Sequence, residues 1–534
     1  KPARQDKETA LTLNSNMEGD SLLSSNGHLD PSIAENFGKK TITSFSSYAL
    51  LLNNITGPGL VAICIAYQHG GWLPATVILL AAALGSAISA GFLVETMTHF
   101  KGNDRFQGRV EFLEMARALF PEYGYYFVFF LFLFNITTSN VSAILESAQT
   151  LDQTFLMGFG QVCALELHPE LQFICVEKSS SKYDSVFGEI WYVSSGFVCL
   201  AAISVPVGLW NLEENMIIQA SSFVALLVLL TEFSVQFMSN GLHPEYLPDS
   251  ALSSGSGVSL GSILFNFAFV VTVPSWVNEK RPDVNIHKTL WSSITTGTFL
   301  FILMGLVGAM AYKFPHGADL LTKLSHPNQW IITRVFAQLF PPLVLVPGIP
   351  ILSIIMRYNL LENRICGPML ANLIAVFLPW MLALLTMSGN LLNVILNWTG
   401  LLTVGPLNFL IPCAMFLISE HRNRNRSNGG SKLQVMSVSE KDEKLVAASK
   451  GQEAQAYGSL DDENRQTDEE TEPWRFLSNS SRRGAMIVAY SVIATIGLLN
   501  VFAVFLAIRG IFIHNESVDP NLPPPTVPDP NLPP

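Results

Sequence analysis

The stretch Asn53-Asn54-Ile55-Thr56-Gly57-Pro58-Gly59 lies in the middle of an apolar block running from 44 to 66, and its reading decides the fold. A block of that length spans a membrane as a helix, because a hydrocarbon core about 30 Å thick needs roughly 20 apolar residues. The quoted residues do not suit a continuous helix. Pro58 lacks an amide hydrogen and crowds the turn before it, and each glycine costs about 1 kcal/mol against alanine. Backbone freed at mid-membrane depth must find partners in protein, water or ligand. A kinked helix bonded to its neighbours is the plain alternative. Two amides, a hydroxyl, two glycines and a proline together favour a break that faces a solute.

Further apolar blocks extend this reading along the chain. Of the 534 residues, 49% are hydrophobic and only 14% charged, where soluble chains hold about a quarter charged residues. Crossings are predicted at 44–66, 72–97, 124–148, 190–210, 216–238, 258–278, 290–312, 330–356, 367–388, 391–418 and 485–508, eleven in all. Half of the 42 acidic residues lie in the two tails and the 419–484 loop, so the net charge of −11 indicates no nucleic-acid partner. No apolar block precedes Ile42, so the first crossing is expected to act as its own insertion signal.

Cytoplasmic loops hold an excess of Lys and Arg. With the N-terminus cytoplasmic, the inner segments carry Lys101, Arg105, Arg109 and Arg117, then Lys280, Arg281 and Lys288, then Arg357 and Arg364, then the basic residues of the 419–484 loop. The outer side holds Lys178, Lys182, Lys313, Lys323 and Arg509. Cys163 and Cys175 share one outer loop and are expected to pair. The sequon at Asn515 also falls outside, the side on which glycans and disulfides belong.

The predicted organisation is a disordered cytoplasmic tail (1–40), a core of ten helices (41–418), a disordered cytoplasmic loop (419–484), an eleventh helix (485–508) and a Pro-rich outer tail (509–534). Leu22 and Leu23 close an acidic dileucine-like pattern, and Tyr457 opens a tyrosine-based one; both are expected contacts for sorting adaptors.

The sixth crossing carries a second break, Asn266-Phe267-Ala268-Phe269-Val270-Val271-Thr272-Val273-Pro274-Ser275. Pro274 removes a ladder donor, and Thr272 and Ser275 set hydroxyls beside released carbonyls. If crossings one to five and six to ten are repeats, the two breaks are equivalent. Interrupted helices at equivalent positions point to a transporter site at the bilayer midplane. Half-helix ends offer amides to a carboxylate and carbonyls to an amine, and an amino acid has both groups.

These two motifs, with Pro347-Gly348-Ile349-Pro350-Ile351-Leu352-Ser353 in the eighth crossing, resemble the amino acid/auxin permease family within the amino acid, polyamine and organocation transporters, and are similar to neutral amino acid transporters. The resemblance covers roughly 41–418 and the eleventh helix. It implies an all-α membrane protein with a leucine-transporter-like five-plus-five inverted repeat, one extra helix, and helices 1 and 6 broken. It implies amino-acid transport driven by a proton or sodium gradient, with no other cofactor. Matching the motifs makes Asn53, Thr56, Gly57, Gly59, Thr272 and Ser275 the candidate substrate-binding residues and Ser353 the ion-coupling candidate. Pro58 stands where the commoner motif reads Gly-Ser-Gly, which removes one amide donor.

Other groups rank lower. Glu95, Glu146 and Glu232 lie near block ends and read as boundary residues, and Arg334 as a snorkelling one. Glu279 reads as a cap or gate partner of Lys280 or Arg281. His69 reads as a loop histidine, and Asn135 with Thr137 to Asn140 as interhelical glue. No intramembrane carboxylate pair, HExxH, GxSxG or metal spacing is present, so neither an enzyme nor a metal site is expected. The competing class is an amino-acid sensor or adaptor of the same fold that signals through the 419–484 loop. The membrane is expected to be the plasma membrane or an endolysosomal or vacuolar one.

Overall fold

The computed structural model describes residues 38–57, 59–100, 103–168, 171–177, 187, 191–248, 263–264, 266–314, 320–386, 399–427, 484–495 and 497–498. Leu22, Leu23, Tyr457, Asn515, both tails beyond these limits and most of the 419–484 loop lie outside the described residues.

The first crossing is broken where expected. Ser44–Ile55 and Gly59–Gly70 form two helices bent by 45°. The first starts under Thr43, whose side chain accepts from the Ser46 amide, and ends as the Thr56 amide reaches the Leu52 carbonyl. The second crossing, Trp72–Thr98, is continuous. A short amphipathic helix, Phe112–Leu119, follows under a reciprocal capping box of Glu111 and Glu114.

The third crossing is longer than the 124–148 block, running from Glu122 to Phe159 over 38 residues. At about 1.5 Å per residue it is roughly 57 Å long, so its end stands clear of a 30 Å core. Gly160, at φ +80°, turns the chain into a feature the sequence reading lacked. This is an antiparallel sheet of β1 (Gln161–His168), β2 (Gln172–Glu177) and β3 (Trp191–Ser194), in the order β2-β1-β3. Cys163 and Cys175 face each other in register and are joined by a disulfide, as expected. The fourth helix is short, Ser195–Gly208, because β3 takes the start of its block.

The fifth crossing is Met216–Asn240 and the seventh Ile286–Ala311. The sixth is broken. Turns over 266–269 lead through Val270–Thr272 into a helix, Val273–Glu279. Pro274 therefore opens this helix instead of interrupting one, at a position where its missing amide has no partner to lose. The eighth crossing spans Ile331–Glu362 with a π turn at Pro341–Leu345, the ninth Pro368–Leu385, and the tenth Leu402–Asn423. The tenth crossing's last helix continues to Ser427, past the expected boundary at 418. Seven described helices are long and apolar enough to cross a membrane, and the bent pair makes eight. The fourth, sixth and eleventh predicted crossings are represented by shorter pieces, the last by Gly484–Thr495, so this criterion does not reach eleven.

Helix neighbours reveal the repeat. Crossing one packs on seven as six packs on two; one packs on five as six packs on ten. Ten packs on two as five packs on seven, and nine packs on three as four packs on eight. Crossings two and seven touch each other, as do three and eight. Exchanging each crossing with the one five later preserves these pairings. Five is odd, so the second repeat enters from the opposite side. This is the leucine-transporter-like all-α arrangement, with helices 1 and 6 broken.

The outer faces are apolar at helical spacing, for example Val77, Leu80 and Leu84, or Phe127, Phe130 and Phe134. Such a surface suits lipid and marks an integral, multi-pass membrane protein. Inside, crossing seven meets crossing one through glycines. A β-carbon on Gly297 would lie 2.8 Å from Ile55, and one on Gly308 2.6 Å from the Cys64 sulfur.

Candidate functional site

The two breaks meet at a cavity of about 80 Å³. Crossing one contributes Asn53, Asn54, Gly57 and Gly59, and crossing three Asn135 and Ser139. Crossing six contributes Asn266, Phe269 and Thr272, and crossing eight Gly348 and Leu352. No ionisable side chain is among these residues or the rest of the described lining.

Each amide is placed by a specific contact. Asn53 Nδ2 donates to the carbonyl and to Oε1 of Gln219, both at 2.9 Å. Gln219 in turn donates to the Pro347 carbonyl at 2.8 Å. This chain ties the first break, through crossing five, to the Pro-Gly-Ile-Pro motif of crossing eight. Asn54 Nδ2 reaches Thr272 Oγ1 at 3.4 Å, joining the two breaks directly. Thr272 donates to the Phe269 carbonyl at 2.6 Å, so one released carbonyl is satisfied as expected. Asn408 of crossing ten accepts from the Val271 amide at 3.3 Å, covering a donor that the break frees.

Asn266 is the exception. It is 4% exposed, and neither its Oδ1 nor its Nδ2 has a hydrogen-bond partner among the described residues. It rests on Gly59, where a β-carbon would lie 1.2 Å from Oδ1. Around Gly57 a β-carbon would meet nothing within 4 Å. The first glycine thus keeps space open, and the second lets the two broken helices touch.

Of the candidates from the motifs, Asn53, Gly57, Gly59 and Thr272 line the cavity; three others do not. Thr56 donates back to the Leu52 carbonyl at 2.8 Å, spent on closing its own helix. Ser275 donates to Glu111 at 2.6 Å, outside the cavity. Ser353 bonds Asn140 of crossing three at 3.0 Å and the Ile349 carbonyl at 3.3 Å, so its hydroxyl is engaged with crossing three and not crossing one. The sequence reading missed Asn54, Asn135, Ser139, Asn266 and Phe269 as lining residues. A polar side chain in an apolar block was the available signal.

A second polar cluster closes the side of the 98–121 loop. Glu279 does not pair with Lys280 or Arg281. Its carboxylate accepts from Arg109 Nη2 at 3.3 Å and from the amides of Gly38 at 3.0 Å and Glu213 at 3.2 Å. Arg281 pairs with Asp283 instead, and Lys280 Nζ reaches the Arg281 carbonyl. Ile42 is laced to the end of crossing six through the Glu279 carbonyl and the Arg281 amide. Arg357 is 2% exposed and caps the end of crossing four at the Leu209 and Trp210 carbonyls. Burial lowers Lys40, helped by the charge of Arg109. Lys280 is brought down to about 8 by burial, then by Lys40.

Paired helix breaks around a small, uncharged, solute-sized cavity, within an exchanged set of ten helices, define a membrane transporter class. The chain belongs to the transmembrane amino acid transporter protein family, whose profile matches residues 40–432. The transmembrane protein 104 homologs of Caenorhabditis elegans and Caenorhabditis briggsae are 22% identical to it over 360 and 344 residues, covering 59% of this chain and 68% of each relative. Among solved structures, the inward-facing conformation of Mhp1 aligns with TM-score 0.44 and 15% identity over 76% of this chain and 82% of that one. Mhp1, a nucleobase-cation-symport-1 family transporter, closed with bromovinylhydantoin bound, aligns with TM-score 0.45 and 16% identity over 75% and 83%.

Proposed function

We propose that this protein is a secondary active transporter of small neutral amino acids that works by alternating access, driven by a proton or sodium gradient. The observation that carries this reading is the cavity at the two breaks, lined by uncharged amides and hydroxyls. A ligand with a net charge would lose its hydration there without a fixed counter-charge, whereas a zwitterion meets half-helix ends of both signs. A volume of about 80 Å³ holds on the order of half a dozen waters, which suits a small side chain. The Arg109–Glu279 cluster then serves as the gate on the cytoplasmic side, an orientation that the Lys and Arg bias of the loops supports.

Purified protein in liposomes is the test. Neutral amino acids should accumulate only under an imposed proton or sodium gradient, and acidic and basic ones should not. Saturable binding with no uptake of any panel member would sink the carrier reading and leave the sensor class.

A further inference from the structure

Glu111 is a carboxylate with no exposed surface, held by three separate elements at once. From the inner half of crossing six, Ser275 Oγ lies 2.6 Å from Oε2, and Asn278 Nδ2 donates to Oε1 at 2.8 Å. From crossing eight, Asn359 Nδ2 reaches Oε2 at 3.4 Å. From its own loop helix, Glu111 caps the first turn and its amide donates to Glu114. The inner half of crossing six, Val273–Glu279, follows the turns over 266–269 and the short Val270–Thr272 segment. It cannot swing away from crossing eight without pulling Ser275 and Asn278 off this carboxyl and admitting water to it.

Charged groups of both signs surround the site. Glu114 on the loop helix and Glu362 on crossing eight both act on Glu111, and Glu279 on crossing six shares Arg109 with it. Arg109 stands 3.8 Å from Glu111 Oε1 and also serves Glu279 and the Gly38 carbonyl. Lys40 lies beyond Arg109, and Arg422 of crossing ten is committed to the Ala118 and Leu119 carbonyls. Arg364 acts on Glu362 and Arg117 donates to the Asn363 carbonyl, which leaves Arg109, shared with Glu279, as the cation beside Glu111 itself. The short contact to Ser275 joins two oxygens, so it accommodates a proton on either one.

We propose that Glu111 is the proton-carrying residue of this gate, protonated while the gate is shut and deprotonated when the inner half of crossing six moves off it. The proton leaves the carboxyl oxygen for the water that enters, and the carboxylate left behind is hydrated. This rests on the carrier reading and makes the proton its coupling ion. Burial, opposed by Arg109, pushes the Glu111 carboxyl up to about 7 in the shut form. A hydrated carboxyl titrates near 4.3, so raising the pH favours the open form.

The test uses the full chain without substrate, so it is independent of what is carried. Val277, fully buried on the inner half of crossing six, is replaced by cysteine in a Cys199→Ser, Cys366→Ser background. Its reaction with a maleimide is followed from pH 5.5 to 8.5. Because the thiolate is the nucleophile and its fraction itself rises with pH, each rate is divided by that of free cysteine at the same pH; this normalised rate should rise about tenfold or more, with a midpoint near neutrality. Glu111→Gln, locked in the neutral form, should label slowly at every pH, and Glu111→Asp should move the midpoint. A flat profile, or one that Glu111→Gln leaves unchanged, overturns the proposal even if uptake is seen. An intact Glu111-dependent profile without uptake upholds the proton gate and overturns the carrier reading instead.

Discussion

A β-carbon on Gly59 would lie 1.2 Å from Oδ1 of Asn266, so the two broken helices touch where one of them has no side chain. In Gly59→Ala the Asn266 amide must give way, and neither of its polar atoms is held by a hydrogen bond among the described residues. Overpacking of this kind costs about 1–3 kcal/mol. Gly59→Ala should therefore lower the thermal midpoint and raise the KM for the carried solute about tenfold. Adding Asn266→Ala should recover much of the midpoint, giving a coupling of about 1 kcal/mol or more; simple additivity would exclude the contact. Gly57→Ala, with open space at that point, should weaken binding while leaving the midpoint in place.

Arg109 and Glu279 form an ion pair at 3.3 Å in the polar cluster beside the 98–121 loop. The Glu279 side chain is fully buried, and removing one member of a buried pair costs about 3–5 kcal/mol. Arg109→Ala should drop the thermal midpoint in detergent by several degrees. Arg109→Lys should restore little, because one guanidinium serves the Gly38 carbonyl, Glu279 and Glu111 in different directions. Glu279→Gln added to Arg109→Ala should be less harmful than Arg109→Ala alone. Equal midpoints for the single and double variants would mean that the pair carries no gate energy.

The first break was legible because Gly57, Pro58 and Gly59 interrupt an apolar block that has no other reason to hold them. Crossing six was legible as broken but not in detail. Pro274 marks the start of the inner helix, and the freed backbone lies upstream, where the Val271 amide is met by Asn408 from crossing ten. Such a partner, 137 residues away, leaves no trace in local pattern. Thr56 and Ser275 were hydroxyls in the right motifs whose rotamers turn elsewhere, to Leu52 and to Glu111. Glu279 was read as a cap or gate partner of Lys280 or Arg281, but its partner Arg109 lies in a loop 170 residues earlier. The sheet after Gly160 was hidden because β1 and β2 follow a helix that overruns the bilayer, and hydropathy alone does not show where the helix ends.

Four of the six cysteines are free and two are joined. Denatured but unreduced protein should react with four equivalents of maleimide, and reduced protein with six. The bridge closes a loop with a sequence separation of 12, and a loop that short is worth about 3 kcal/mol in chain entropy. The pair of substitutions Cys163→Ser and Cys175→Ser should speed amide exchange across 161–177. The thermal midpoint of the helical core should hardly move, because the sheet stands beyond the end of crossing three. A large fall in that midpoint would show that the sheet braces the core.

Stability should depend on pH through the loop helix. Burial pushes Glu111 up to about 7, and burial with the charge of Glu362 pushes Glu114 up to about 8, from 4.5 in each case. A carboxyl raised in the folded state contributes stability while it holds its proton. That contribution is complete below about 4.5 and is lost as the pH rises through about 7. For Glu111, which has no exposed surface, the span is on the order of 3 kcal/mol. Other ionisable groups add their own slopes, so the informative quantity is the difference between wild type and Glu111→Gln. Glutamine stays neutral, so the variant should match or fall slightly below wild type at pH 5 and exceed it at pH 8. The two curves of thermal midpoint against pH should cross between those values. Parallel curves would mean that Glu111 stays ionised throughout, and its burial would then have to be offset by its hydrogen bonds from Ser275, Asn278 and Asn359.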